Sequence, residues 1–310
     1  MKSLAVSTAK LVIRASQLIP LLQARGNYSS IKNGERATDF DKAAFEYSDS
    51  ANFADNAPEI DFRRLVEGRT VLDFGSGFGG RTVWLAEMAA SVVGIEIVEP
   101  MVIAGRQFAA QRAAKNCRFL LGNQSRLDLP DECVDIVVSF DVLEHVDKPV
   151  AIISELYRIL RSGGQAVIVF TPYLGVFSHH LNYITLFPGM HWLFSPDTNI
   201  RAVRSLLQTN SFSHLEVDDF KLVDPTMSFN KRRKVLPTLN GMTGKEYAEI
   251  VQAAGFRIET FRFRPLLDKF RILGRLGAQA NKWLCSVPGL GERFSLNLTS
   301  VLRKPQRVGS

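Results

Sequence analysis

Residues 70–89, TVLDFGSGFGGRTVWLAEMA, constrain this chain more than any other stretch. A short apolar run ends on an acid, Asp73. Gly75, Gly77 and Gly80 follow, and Val83, Leu85, Ala86 and Ala89 then recur at helical spacing. The pattern reads strand, glycine loop, helix. Such a loop lets a ligand approach the backbone closely at the bare N–H groups of a helix start. The glycines satisfy GxGxxG, the dinucleotide fingerprint. A second apolar run, SVVGIEI, carries Glu96 about as far downstream as the acid that holds ribose hydroxyls in nucleotide-binding βαβ units. To this point a nicotinamide-dependent oxidoreductase and a methyltransferase fit equally.

Asp73 separates them. A carboxylate two residues before the first glycine would repel a pyrophosphate. It would attract the ammonium and sulfonium of S-adenosylmethionine, which has no phosphate. With this acid, the sequence resembles the class I S-adenosylmethionine-dependent methyltransferases over residues 45–172, and more loosely to its end. The resemblance makes Asp73, Gly75, Ser76 and Gly77 the cofactor loop and Glu96 the ribose acid. LLGNQSRLDLPDECVDIVVSFDVLEHV, residues 120–146, is similar to the next two motifs of that family. Where the family usually has Gly-Asp-Ala, this chain has Asn123 and Gln124, and an Asn carbonyl can accept from an adenine amine as a carboxylate does. Asp141, Glu144 and His145 follow the fourth strand, at the end where open α/β sheets bind ligands. His145 is a candidate for catalysis or for shaping this loop. ISELYRILRSGGQAVIVFTPY is similar to the family's helix, Gly-Gly turn and fifth strand, with Gly163 and Gly164 expected to end the helix.

The family's last helix matches TGKEYAEIVQAAGF, with Thr243 and Glu246 at capping-box spacing. FRIETFRFRP supplies the sixth strand and SLNLTSVLRKP the seventh. Two extra pieces, 172–242 and 266–294, are therefore inserted. The first is rich in aromatics and histidines, with Tyr173, His179, His180, Tyr183 and His191, and is expected to form a substrate lid. A neutral imidazole can take a proton from a hydroxyl as the methyl moves. His180 is the leading candidate for that base, followed by His191, Tyr173 and His145; the alternative is that these rings pack the lid. No cysteine accompanies the histidines and their spacing is not that of HExxH, so no metal site is expected. The lid also bears a weak similarity to bacterial methyltransferases of cell-surface glycans and secondary products.

Charge is distributed unevenly along the 310 residues. The net is +7, yet residues 1–34 hold five basic residues and no acid, and residues 262–310 hold ten basic residues and two acids, which leaves the middle at −6. A nucleic-acid groove concentrates charge on the binding domain instead, so no nucleic-acid partner is expected. KRRK at 231–234 reads as an exposed loop. Basic ends suit contact with an anionic surface, or simply solvated faces. Near the N-terminus Leu4, Thr8, Leu11, Ala15, Leu18 and Leu22 recur at helical spacing. A helix packed on the body of the protein is the first reading; a membrane-surface helix and a mitochondrial transit peptide follow it. Pro20 would kink or end such a helix. LLDKFRILGRLGAQANKWL is a second basic amphipathic candidate. No apolar run approaches the ~20 residues of a spanning helix. Cys117, Cys133 and Cys285 are too few and scattered for a disulfide framework.

The expectation is an α/β, Rossmann-like, seven-stranded and mostly parallel sheet with an antiparallel last strand and an inserted lid. Its parts are a basic segment 1–34, a cofactor-binding core 35–172, a lid 173–242 and a completing segment 243–310. The expected function is S-adenosylmethionine-dependent methyl transfer, to an oxygen of a small-molecule, sugar or lipid-linked acceptor. An NAD-dependent oxidoreductase and a non-catalytic scaffold are the alternatives. The expected location is cytoplasmic, or peripheral on an anionic membrane, or mitochondrial in a eukaryote.

Overall fold

The computed structural model describes residues 2–19, 37–56, 60–123, 125–182, 184–209, 236–265, 279, 280, 283, 285, 287 and 289–306. Pro20, Leu22, Gln124, Tyr183, the KRRK run and most of 266–294 lie outside the described residues. The chain forms two compact units. One comprises residues 1–36, 171–244 and 263–298; the other comprises 37–170, 245–262 and 299–310.

The second unit holds most of a seven-stranded sheet. Its strands are β1 (Thr70–Phe74), β2 (Ser91–Glu96), β3 (Cys117–Leu121), β4 (Val134–Phe140), β5 (Leu160–Phe170), β6 (Arg257–Pro265) and β7 (Ser295–Arg303). The order is β3-β2-β1-β4-β5-β7-β6, parallel except for the antiparallel β7 between β5 and β6. This is the expected sheet. Strands β1, β2 and β4 are almost wholly buried, as apolar runs in a parallel sheet covered on both faces must be. Helices α2 (Asp39–Asn56), α3 (Phe62–Val66), α4 (Gly80–Ala86), α5 (Glu99–Gln111) and α6 (Pro149–Ile159) belong to this unit. On one sheet face, Val71, Val92, Ile136, Val138, Val167 and Val169 pack with Phe62, Val66 and Leu85 from the helices. The order reverses between β1 and β4, so the loops at their C-terminal ends open the crevice that open α/β sheets use for ligands.

One local expectation is corrected. Gly163 and Gly164 do not end the helix: α6 stops at Ile159 and β5 begins at once. The ammonium of Lys304 donates to the carbonyls of Tyr157 and Leu160, satisfying the bare end of α6 (2.9 and 2.8 Å). Gly163, at φ +80°, instead sits in an irregularity where pairing jumps from Val134–Leu160 to Ile136–Gln165.

The first unit holds α1 (Lys2–Ser16), α7 (Met190–Leu193) and α8 (Pro196–Leu207). Ser195 caps α8 by accepting from the Thr198 amide (3.2 Å). Ala9 and Ile13 of α1 pack with Ala202, Val203 and Leu206 of α8 and with Leu181, Ile184, Met190, Leu236 and Leu239. Lys10 donates to Ser205, and Ser16 bonds Thr185 (2.9 and 2.7 Å). The leucine stripe of the sequence reading is the opposite face: Leu4, Leu11 and Leu18 are 71%, 67% and 83% exposed. The packed face carries Ala9, Ile13 and Ser16, with Val6 and Val12 beside them. Helix α9 spans Gly244–Ala253. In the first unit, the two carboxylate oxygens of Glu292 accept from the amides of Leu174 and Gly244 (2.9 and 3.0 Å).

Candidate cofactor and active site

The glycine loop joins β1 to α4. Gly75 stands at φ +78°, and a Cβ there would lie 2.2 Å from the Val142 side chain, so no other residue fits. Asp73 is fully buried. Its Oδ2 accepts from the Thr82 hydroxyl (2.7 Å), and its Oδ1 has no hydrogen-bond partner. The buried Ser76 hydroxyl is likewise without one. Burial pushes Asp73 up to about 6, opposed by the charge of Arg81 and the Thr82 bond. The Arg81 guanidinium lies 4.6 Å above the Phe140 ring.

Glu96, at the end of β2, is fixed by backbone donors. Its Oε1 accepts from Ile97 and Val98 (2.7 and 3.1 Å) and its Oε2 from Gly77 (3.1 Å). Burial raises its pKa against those three bonds. The carboxylate is thereby held beside the loop with acceptor capacity left over. Asn123 is exposed, and its carbonyl already accepts from the Ser125 amide and hydroxyl and the Arg126 amide (2.9, 3.2 and 2.8 Å). That Asx turn leaves the amide NH2 as the group this side chain can turn to a ligand. Asp141, after β4, adopts φ +55°, an uncommon conformation for a residue with a side chain, and its amide donates to Val169 (2.8 Å). His145 ends a short 3-10 turn, Leu143–His145, and is half-buried.

The candidate residues of the first unit fall into two kinds. His179 and His191 are buried, with ring centroids 6.1 Å apart. His179 Nδ1 accepts from the Leu181 amide (3.0 Å). The Ser178 hydroxyl donates to the Tyr173 carbonyl (2.5 Å), so its oxygen is left to accept a hydrogen bond from His191 Nε2 (3.0 Å). Burial drives His179 down to about 3 and His191 down to about 4, so both are neutral at physiological pH. Tyr173 stacks edge-on against His191 (5.6 Å). His180 differs: it is half-buried and stands at φ +50°. Strained backbone of this kind clusters at functional sites.

A residue absent from the sequence reading also reaches the loop. Glu46 of α2 accepts from the amides of Phe78 and Gly80, both at 3.2 Å. No motif marks it; it is one acid among several in a polar helix.

Comparison with known proteins agrees with this geometry. Residues 72–168 match the family described as a methyltransferase domain. A probable S-adenosylmethionine-dependent methyltransferase of Mycolicibacterium smegmatis is 34% identical over 168 residues, 52% of this chain and 58% of that protein. A ubiquinone biosynthesis O-methyltransferase of Pseudomonas paraeruginosa is 34% identical over 107 residues, 34% of this chain and 46% of that protein. The chain thus spans about half the length of the curated relatives it matches. A crystal structure of an S-adenosylmethionine-dependent methyltransferase from Mesorhizobium loti covers 83% of this chain and 99% of its own, at 15% identity and a TM-score of 0.51, and shares the fold. The α/β core matches a methyltransferase domain over residues 72–168, and the cofactor named for the similar Mycolicibacterium smegmatis protein is S-adenosylmethionine. The residues present fit it: a buried acceptor without a partner at Asp73, an anchored acid at Glu96, and a loop that only glycine can form.

Proposed function

We propose that the chain is an S-adenosylmethionine-dependent methyltransferase acting on an oxygen of a small-molecule, sugar or lipid-linked acceptor. The observation that carries the reading is the partnerless Oδ1 of the buried Asp73 beside the glycine loop. That carboxylate suits a ligand bearing positive charge and repels a pyrophosphate, which removes the support for a nicotinamide cofactor. When bound, S-adenosylmethionine supplies an electrophilic methyl on a sulfonium. Asp73 and Ser76 would hold its amino-acid end and Glu96 its ribose hydroxyls. Cofactor and acceptor held in line account for most of the rate, since orientation alone is worth ~7–11 kcal/mol. Residues 173–242 would bind the acceptor. Within them His180 would take the acceptor's proton if the acceptor is an unactivated hydroxyl, with Tyr173 and His145 as further candidates.

Oxygen as the methylated atom draws support from the similarity to the ubiquinone biosynthesis O-methyltransferase. Among the described residues no helix is long and apolar enough to cross a membrane. The exposed leucines of α1, in a segment without acids, favour peripheral contact with anionic lipid.

The test is binding of S-adenosylhomocysteine and NAD side by side. The former is expected to bind and the latter not. Asp73→Ala and Glu96→Ala should each weaken S-adenosylhomocysteine by about 1.5–3 kcal/mol, the worth of a hydrogen bond to a charged group. Unchanged affinity in both folded variants would sink the assignment.

A further inference from the structure

A cavity of about 440 Å³ lies in the second unit, to which all of its lining residues belong. Arg69 immediately precedes β1, Ile136 is near the start of β4, and Arg303 ends the antiparallel β7. The cavity therefore opens at the end of the sheet opposite the glycine loop. Ile136, Val167 and Val301 line it from the sheet, and Arg64 and Leu65 of α3 form a wall. Its volume falls within the ~300–1,000 Å³ of small-molecule pockets and exceeds what a single ion needs.

Several polar groups of the lining are committed to one another. Glu259 accepts from Arg303 through one oxygen and from the Gln165 amide through the other (2.8 Å). Arg303 also donates to the Gly163 carbonyl (3.0 Å). Asp61 caps α3 by accepting from the Arg64 amide (3.0 Å). Arg69 acts by charge on Asp135, whose oxygens accept from the Thr70 amide and from Arg161 (2.9 and 2.8 Å). Other groups are left over. Among the described residues the guanidiniums of Arg64 and Arg69 and the hydroxyl of Thr260 make no hydrogen bond or ion pair. Gln165 keeps its carbonyl oxygen as an acceptor. With Arg303 and Glu259 paired, the balance of the lining is Arg64 and Arg69 against Asp61, which is positive.

A guanidinium can meet a phosphate with two parallel N–H bonds, so two uncommitted arginines on one cavity suit that dianion. A spare hydroxyl and a spare amide carbonyl suit hydroxyl groups on the body of the same ligand. We propose that this cavity binds a phosphate monoester of a small hydroxylated body, with Arg64 and Arg69 on the phosphate and Thr260 and Gln165 on the hydroxyls. The site shares no residue with the glycine loop, so the proposal stands independently of the methyltransferase reading.

The experiment is calorimetry on the full chain with glucose 6-phosphate, glycerol 3-phosphate, inorganic phosphate and glucose. At least one of the two esters should bind at a single site, about tenfold tighter than inorganic phosphate, and glucose should give no saturable heat. Arg64→Gln and Arg69→Gln should each weaken that ester about ten- to a hundred-fold. Thr260→Val should weaken it about two- to tenfold and leave inorganic phosphate unchanged. Arg63, exposed on the same helix and outside the cavity, is the control: Arg63→Gln should keep Kd within about twofold. Arg64 and Arg69 are exposed, so their replacement leaves the core intact, and thermal melts verify it. No saturable binding of either ester would overturn the proposal. So would equal affinity for ester and inorganic phosphate, or binding indifferent to Arg64 and Arg69. A loss in Arg63→Gln as large as in Arg64→Gln would replace the site by diffuse attraction to a basic surface.

Discussion

At the scale of single residues, the histidines separate by environment rather than by type. His191 is sealed in, its Nε2 committed to Ser178, and its low pKa comes from burial; an imidazole so placed makes structure. His180, two positions from Ser178, is left half-open on a left-handed backbone. Two outcomes distinguish the roles. His180→Ala should lower kcat by ~10²–10⁴ on a hydroxyl acceptor, with cofactor affinity little changed. His191→Ala should leave Ser178 and Tyr173 poorly supported, cost about 1–3 kcal/mol and lower Tm, with KM rising more than kcat falls. Steady-state kinetics and thermal melts on the two proteins test this pair of expectations. Near-wild-type kcat in a folded His180→Ala protein would remove it as the base and turn attention to Tyr173 or His145.

At the scale of elements, what sequence could convey depended on periodicity. Strands β1, β2 and β4 were legible because buried parallel strands are unbroken apolar runs, and the loop because its glycines have no substitute. Asp73 and Glu96 were legible from position relative to that loop. Glu46 was not: nothing in DFDKAAFEYSDSANFADN distinguishes it, and only the backbone approach of α2 at Gly80 gives it a role. Gly163 and Gly164 misled because a bulge and a helix stop draw on the same residue type. Helix α1 misled differently. It has two apolar stripes, and size favours the leucines as the core face, yet Ala9, Ile13 and Ser16 are the buried ones. An exposed stripe at Leu4, Leu11 and Leu18 flanked by Arg14 suits the surface of an anionic bilayer. Changing the three leucines to serine should therefore leave Tm nearly untouched, since they are already in water. It should abolish sedimentation with liposomes containing acidic lipid, which for the wild type should weaken as salt rises. Equal sedimentation of both proteins would discard the membrane role of this face.

At the scale of the whole molecule, the two units carry buried ionisable groups shifted in opposite senses. In the unit with residues 171–244, His179 and His191 titrate at about 3 and about 4 when folded, against about 6.5 in an unfolded chain. Between those values the unfolded state holds more protons, so this unit loses stability as pH falls from about 6.5 towards 4. In the unit with residues 37–170, Asp73 and Glu46 titrate at about 6 and about 7, above their ordinary carboxylate values. At these two groups the folded state holds more protons, so their contribution to stability is greatest below about pH 4 and declines as pH rises through 6 to 7; the carboxyls of Asp135, Glu155 and Glu259, held below their ordinary values by arginine partners, contribute the opposite dependence at lower pH. Hydrogen exchange, corrected for intrinsic rates, should register both trends in one sample. From pH 8 to pH 5 the amides of α8 should lose protection, while those of β1, the glycine loop and α4 should gain it. Protection moving the same way in both units would refute the argument. Adding S-adenosylhomocysteine at pH 8 should restore the loop's protection and leave the direction of the α8 trend unchanged. A cation beside Asp73 would offset the ionisation that loosens the loop.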